Sequence, residues 1–128
     1  ITDAYAVLKA LNREIADKEK IDVKMISNRV GSQHEGEQLY LKLNSVVNKF
    51  LELKLGYAGA VIQDNNLAKG ILNQQPVSIT HPGTVSVRAI RNIADKIVND
   101  NITAEKKSMT GFFTQFITSN LLLKKGEN

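Results

Sequence analysis

The chain has 128 residues, enough for one domain with a buried core, and its 17 basic and 13 acidic residues give a net charge of +4. This charge excess is small and aromatic residues make up only 5%, so the composition does not point to nucleic acid. The absence of cysteine excludes disulfides and thiolate metal sites and fits a reducing compartment.

The first segment combines a helical pattern with a short strand. Thr2 and Asp3 can cap a helix whose apolar residues recur at helical spacing, at Ala4, Val7, Leu8, Leu11 and Ile15. A charged turn follows, and the apolar run Val23–Ser27 is predicted as a buried strand. Residues 31–36 are predicted as a polar loop.

The middle of the chain alternates again between helix and strand. A second helix is predicted from about Glu37 to Glu52, with one apolar face formed by Leu39, Leu43, Val46, Val47 and Phe50. The segment Tyr57–Ile62 lacks a helical period and is predicted as a second buried strand.

The next segment contains two helices separated by a loop. Asn65 or Asn66 can cap a short helix that ends near Gln74, and the residues QQPVSITHPG are predicted as a loop. A further helix starts at Thr84 or Ser86. We predict that it buries Ala89, Ile90, Ile93, Ala94 and Ile97 and exposes Arg88, Arg91 and Lys96.

This order of elements predicts the fold class. Alternating helices and strands are typical of βαβ units with a parallel sheet. Two strands are too few for a whole domain, so we predict an α/β fold: the C-terminal part of a doubly wound, mostly parallel sheet flanked by helices. The chain begins without methionine inside a helical pattern, which we interpret as a fragment or a trimmed product. In open α/β sheets ligands bind outside the carboxyl ends of the strands, where Asn28 and Arg29 follow the first strand.

Several segments, taken in order, resemble the C-terminal half of MinD/ParA-type P-loop ATPases. These are ITDAYAVLKAL, a strand ending in SNRV, YAGAVIQDNNLAKGILNQQPV and HPGTVSVRAIRNIADKIV. The TDAYA, QQP and P-x-S stretches are most similar to the flagellar-number regulators of that family (FlhG, also called FleN or YlxH). The resemblance covers roughly residues 1–98 and implies a P-loop NTPase fold. We therefore expect residues 1–99 to be the C-terminal portion of such an ATPase domain and residues 100–128 a linker and an amphipathic helix.

The resemblance also implies a binding site for the adenine ring. Asn28 would read the base, because its amide offers both a donor and an acceptor. Arg29 would lie along the base or the ribose, and the loop Ile62, Gln63 and Asp64 would line the base. Family members usually have proline where this chain has Ile62. Taken without the resemblance, Asn28 and Arg29 suit a plain surface loop, and Asp64 suits a helix cap better than a metal ligand.

The phosphate-binding machinery is not part of this sequence. The chain contains no G-x-x-x-x-G-K-[ST] motif, and the resemblance places the phosphate loop and the Mg²⁺-binding residues upstream of Ile1. We expect ATP or ADP with Mg²⁺ in an intact parent ATPase, and no strong binding by this fragment alone. We predict no catalytic or metal-binding residue here, and His34 and His81 suit surface loops.

The C-terminal segment suits a membrane surface or a protein contact. Residues 108–123 carry no charge, and Lys106 and Lys107 precede them. Sixteen residues with several polar ones are too few to span a bilayer, which needs about 20. An interfacial helix on anionic lipid fits, as in MinD relatives, and so does packing on the chain's own domain or on a second copy. Disorder of this segment is the third and least favoured alternative. The membrane-binding residues in the first reading are Phe112, Phe113, Phe116, Ile117, Leu121, Lys124 and Lys125.

Three functions remain open at this stage. The first is part of a MinD-like ATPase that regulates the number or placement of flagella from the cytoplasmic face of the cell membrane. The resemblance implies a nucleotide-dependent homodimer for the parent, and flagellar assembly partners that include an SRP-type GTPase. The second is a non-enzymatic protein-interaction module. The third is a ParA-like DNA-segregation ATPase, for which Arg88, Arg91 and Lys96 would contact DNA, although nucleic acid is the less favoured partner.

Overall fold

The computed structural model describes the backbone of residues 1–124 and the side chains of these residues except 105, 116 and 119–124. The elements divide into two compact units, one covering Ile1–Ile93 and one that begins at Ala94. In chain order the elements are α1 (Thr2–Glu14), a 3₁₀ turn (Lys18–Lys20), β1 (Val23–Val30), α2 (Gln33–Phe50), β2 (Leu55–Ile62), α3 (Asn65–Leu72), α4 (Val77–Thr80) and α5 (Val85–Lys124).

The sheet in the described residues consists of β1 and β2, which lie side by side and run parallel. The pairing begins at Val23 opposite Leu55 and ends at Val30 opposite Ile62. The prediction of two adjacent parallel strands is therefore confirmed, and so is the mixed α/β class.

Helices cover both faces of this sheet. Gly36 of α2 lies so close to the sheet that an added Cβ would be 2.5 Å from Ala60 Cβ. On β2, a Cβ added to Gly59 would be 2.9 Å from Ile93 Cγ1 of α5. Because successive strand residues point to opposite faces, α2 and the start of α5 lie on opposite sides of β2.

The main core of this unit lies between α1, α2 and the sheet. Leu43 and Val47 of α2 are almost fully buried and pack with Leu8, Leu53 and Leu55. Tyr40 donates a hydrogen bond to the backbone oxygen of Leu55 at 3.0 Å and stacks on Tyr57 with ring centroids 4.9 Å apart. The apolar stripe predicted for α2 is wider than this core, since Val46 and Phe50 are exposed. In α1, Val7 is likewise exposed.

Helix starts were the least accurate of the predictions. Helix α2 begins at Gln33 and includes Gly36, which had been predicted as loop. Its N-cap is Ser32, whose hydroxyl accepts a hydrogen bond from the Glu35 amide at 3.1 Å. The sequence Ser32-Gln33-His34-Glu35 is an S-x-x-E signature that marks this start. The missing Cβ of Gly36 serves close packing of the helix on the sheet rather than a turn.

Three other boundaries also differ from the predictions. Thr2 and Asp3 lie inside α1, which has no side-chain cap. Helix α3 is capped by Asp64 rather than by Asn65 or Asn66, and it ends at Leu72. The loop predicted for QQPVSITHPG contains the short helix α4.

Helix α5 is longer than the sequence suggested. Its backbone is helical from Val85 to Lys124, so the segment predicted as a linker, residues 100–107, is helical here. Residues 94–107 contain neither proline nor glycine, and a change to polar composition alone does not end a helix. Near its start Val87, Ala89 and Ile93 are buried, whereas Ile90 and Ala94, which were predicted as buried, are exposed. Arg88, Arg91 and Lys96 are exposed, as predicted.

Candidate functional site

The residues predicted for the base site come together at the carboxyl ends of β1 and β2. A cavity of about 340 Å³ opens there, between the two strand ends and α3. It lies near the lower end of the range of about 300–1,000 Å³ that is typical of small-molecule pockets. Every predicted base-site residue contributes to its lining: Asn28, Arg29, Ile62, Gln63 and Asp64.

A bulge in β1 explains how two neighbouring residues reach the same cavity. In a regular strand Asn28 and Arg29 would point to opposite faces. Here Asn28 lies opposite Val61 and Val30 lies opposite Ile62, so Arg29 has no partner position in the pairing. Arg29 has a φ of 58°, in the left-handed region that side chains other than glycine adopt at a cost. Bulges of this kind turn a side chain away from its regular direction, and they often occur beside ligand sites.

This arrangement corrects one element of the sequence analysis. Asn28 and Arg29 do not follow the strand as loop residues, because β1 continues to Val30. The pairing of the two strand ends is prolonged by the amide of Gln63, which donates to the backbone oxygen of Val30 at 2.8 Å. The ordered strand end therefore extends to the cavity itself.

Asp64 holds the loop between β2 and α3 through its carboxylate. One oxygen, Oδ1, accepts from the amide of Asn66 at 2.8 Å and so caps α3. The other, Oδ2, accepts from the Ser86 hydroxyl at 2.7 Å and from the Ser86 amide at 3.2 Å. These donors, the Ser86 hydroxyl first and the Asn66 amide next, lower the pKa of Asp64 from 3.8 to about 2. The prediction of Asp64 as a helix cap is confirmed.

The apolar wall of the cavity was not predicted from the sequence. It is formed by one side of α3, namely Leu67, Ala68, Ile71 and Leu72. The i, i+4 spacing of two apolar pairs in this short helix was the available signal. Ile71 and Leu72 are 70% and 82% exposed, so this wall is open to a ligand. An apolar wall facing an amide, a guanidinium group and backbone suits a flat heteroaromatic ring.

The charge around the cavity does not suit a string of phosphates. Arg29 and Asp64 are the charged residues of its lining, and Asp64 is already occupied by backbone and hydroxyl donors. No lysine contributes to the lining. The lining thus offers one guanidinium group, one amide and an apolar wall, with a carboxylate that already has its donors.

A second cavity, of about 410 Å³, lies between α3, α4 and the start of α5, and it shares Leu67 and Ile71 with the first. Its lining is mainly apolar and carries no charged side chain; it includes Leu67, Ile71, Pro76, Val77 and Val87. Because no charged group converges on it, this cavity is the weaker candidate for a polar ligand.

The residues predicted to bind membrane, apart from Lys125, lie on the distal part of α5. Phe112, Phe113 and Ile117 are 67%, 57% and 56% exposed. The side chains of Phe116, Leu121 and Lys124, and all of Lys125, lie outside the described residues. Along the part of the chain that the structure describes, every helix is too short or too polar to cross a bilayer.

Fold and cavity together define an α/β protein with a ligand-sized pocket at the carboxyl ends of parallel strands. No protein-family model matches the chain. The chain is, however, 30% identical over 115 residues to the antiactivator FleN of Pseudomonas aeruginosa. The matched region covers 90% of this chain and 40% of FleN, so the chain spans less than half the length of its relative. The similarity thus relates this chain to FleN over part of that protein's length.

Proposed function

We propose that this chain is the C-terminal portion of a MinD-like ATPase that regulates the number or placement of flagella, and that it supplies the adenine-binding edge. The observation that carries this proposal is the convergence of Asn28, Arg29 and the loop Ile62–Asp64 on one cavity at the strand ends. The similarity to FleN supports the flagellar role. Since the chain spans 40% of FleN, the remaining parts of the ATPase would lie in the other 60%.

In this proposal the residues of the cavity divide the recognition of adenine between them. The Asn28 amide pairs with the edge of the ring, donating to one ring nitrogen position and accepting from the exocyclic amine. Arg29, turned by the bulge, lies along the base or the ribose. Ile62 and the apolar side of α3 enclose the faces of the ring. ATP or ADP and Mg²⁺ would be held at the phosphates by the rest of the parent, which would also supply hydrolysis.

The test is Asn28→Ala in the intact parent ATPase. The affinity for ATP and for ADP should fall by a similar factor, about tenfold, because the base is common to both and a hydrogen bond is lost. Asn48→Ala, on the exposed surface of α2, is the matched control and should leave both affinities unchanged. Unchanged nucleotide affinity in Asn28→Ala, with phosphate-loop variants inactive, would show that Asn28 is only a structural residue.

We propose further that the distal part of α5 binds an anionic membrane surface at the cytoplasmic side. Its exposed phenylalanines and the absence of charge from 108 to 123 support this assignment. Three threonine hydroxyls of this helix have hydrogen-bond acceptors within the helix, which lowers the cost of moving them out of water. Those of Thr110, Thr114 and Thr118 donate to backbone oxygens four residues earlier, at 2.9, 2.9 and 2.8 Å.

Other functions make different predictions. A non-enzymatic interaction module would keep the fold and bind no adenine nucleotide. A ParA-like DNA-binding role would use the exposed Arg88 and Arg91 at the start of α5, and binding would fall steeply with salt. The MinD-like ATPase proposal, by contrast, includes a homodimer of the parent protein and contacts with flagellar assembly proteins, among them an SRP-type GTPase.

A further inference from the structure

Ser86 is a fully buried polar residue at the start of α5. The sequence pattern indicates it only as a possible helix start, and it does not line the cavity. Its hydroxyl and its amide both donate to the same carboxylate oxygen of Asp64. The two residues are 22 positions apart in sequence, so this contact joins separate elements. Asp64 lines the cavity and Ser86 does not, so Ser86 contacts the site only through Asp64.

The direction of each hydrogen bond in this cluster follows from the chemistry of the groups. An ionised carboxylate only accepts, so the single hydroxyl proton of Ser86 goes to Asp64. Thr84 Oγ1 lies 3.3 Å from Ser86 Oγ, and the Thr84 hydroxyl also helps to lower the pKa of Asp64. Asp64 is therefore surrounded by hydroxyl and amide donors, and hydrogen bonds to a charged acceptor are the stronger kind.

The loop between β2 and α3 is thus held at two points. On the strand side, the amide of Gln63 donates to the backbone oxygen of Val30. On the helix side, Asp64 joins the start of α3 to the start of α5. Ile62 and Gln63, which face the cavity, lie at or beside these anchors. Removing the second anchor would leave the loop attached at the strand alone.

We propose that Ser86 is a positioning residue for the base site: its hydroxyl links Asp64 to the start of α5 and so fixes the loop Ile62–Asp64 against the bound ring. This inference rests on the proposed function, because it assigns a role within the same cavity. It predicts that Ser86 controls the affinity and the base selectivity of the cavity without touching the ligand.

The experiment titrates the 128-residue chain with adenosine and, separately, with guanosine, following backbone amide signals by NMR, which detects weak binding. In Ser86→Ala the dissociation constant for adenosine should rise by up to about tenfold, because affinity falls in proportion to the fraction of chains whose loop is correctly placed. The preference for adenosine over guanosine should shrink as well. The matched control is Ser27→Ala, which also removes a buried serine hydroxyl, one that donates to the Gly36 oxygen at 2.8 Å beneath α2.

A second variant separates positioning from general loss of stability. Asp64→Asn keeps an N-cap for α3 but weakens the acceptor for Ser86, so it should shift affinity in the same direction by a smaller factor. In Ser86→Ala the backbone amide of residue 86 still donates to Asp64, so the double variant should lose somewhat more affinity than Ser86→Ala alone but clearly less than the sum of the two single losses, because both changes weaken one link. All variants are compared at a temperature at which each is fully folded.

The outcomes are distinct for the two proposals. If the wild-type chain shows no adenosine shifts at the cavity, the same variants are compared for ADP binding in the intact parent, which supplies the remaining contacts. If Asn28→Ala leaves ADP affinity unchanged there, the base site itself is wrong, and the role of Ser86 falls with it. If wild type binds and Ser86→Ala binds equally well, or loses no more than Ser27→Ala, the base site stands and the positioning role is refuted. Additive losses in the double variant would also refute the link.

Discussion

The unit formed by residues 1–93 and the distal part of α5 place their apolar side chains in opposite environments. In the first unit Leu43 and Val47 are 1% and 0% exposed. In the distal helix Met109, Phe112 and Phe113 are all more than half exposed. Burying a large apolar side chain is worth about 1.5–3 kcal/mol, so the first unit gains stability from its own core. The distal helix needs a surface from outside itself to gain the same.

The largest expected effect separates the two regions directly. Replacing Phe112 and Phe113 with glutamate removes about 1.5–3 kcal/mol of burial for each ring and adds repulsion from anionic lipid. Co-sedimentation with anionic liposomes should therefore fall at least about a hundredfold, while the melting temperature of the first unit stays nearly constant. The apolar stripe of the distal helix is the face that carries Phe112, Phe113 and Ile117. The matched control adds the same charges at Gln115 and Thr118, which the helical spacing places opposite this stripe, and it should retain most of the lipid binding.

The same experiment also tests the alternative, in which the apolar stripe of the distal helix is a protein contact. If it packs on its own protein or on a second copy, the glutamate variant should melt earlier or dissociate, and the wild type should have no lipid binding to lose. That result would overturn the membrane assignment and leave the first unit's proposed site untouched.

A pair of identical substitutions should have opposite signs in the two regions. Gly36→Ala places a Cβ 2.5 Å from Ala60 Cβ and 2.9 Å from the Tyr57 hydroxyl, so α2 must move away from the sheet. Overpacking of this kind costs about 1–3 kcal/mol. Gly111→Ala meets nothing within 4 Å and should instead stabilise the distal helix, by up to about 1 kcal/mol.

The measurement for this pair uses the distribution of tyrosine. All three tyrosines lie in the first unit, so near-ultraviolet circular dichroism during urea unfolding reports that unit, and the far-ultraviolet signal adds the helix. Gly111→Ala should leave the tyrosine transition in place. Equal shifts of that transition in both variants would show that the two regions do not differ in packing as described.

Features that depend on local sequence pattern could be predicted, whereas features that depend on contacts between distant residues could not. The alternation of apolar runs was enough to predict β1 and β2, and the resemblance was enough to select Asn28 and the loop after β2. The bulge at Arg29 arises from pairing between strands. Gly36 in α2 is required by the close approach of β2, where Ala60 lies. The link from Ser86 to Asp64 spans 22 residues. None of these three features has a periodic signal, because each depends on a partner distant in sequence.

The smallest expected effect is a pH dependence confined to the first unit. The hydrogen bonds from Ser86 and Asn66 lower the pKa of Asp64 from 3.8 to about 2 in the folded chain. Between those two values the unfolded state binds more protons than the folded state, so the free energy of unfolding rises with pH. The contribution of Asp64 is complete above its unfolded pKa of 3.8 and disappears as the pH falls through about 2.

The variant that isolates this contribution is Asp64→Asn, which has no carboxyl group at the cap. Urea unfolding followed by the tyrosine signal at about pH 5, 3 and 2 should show wild type losing more stability than the variant as the pH falls. Glu52, whose pKa is also lowered by its hydrogen bond with Lys18, titrates in both proteins and therefore cancels in the comparison. Parallel loss of stability in the two proteins would contradict the ionised, hydrogen-bonded state of Asp64. The proposed link to Ser86 depends on that charged acceptor, so the same result would also contradict the link. This small effect of acid therefore tests the loop of the site without any nucleotide.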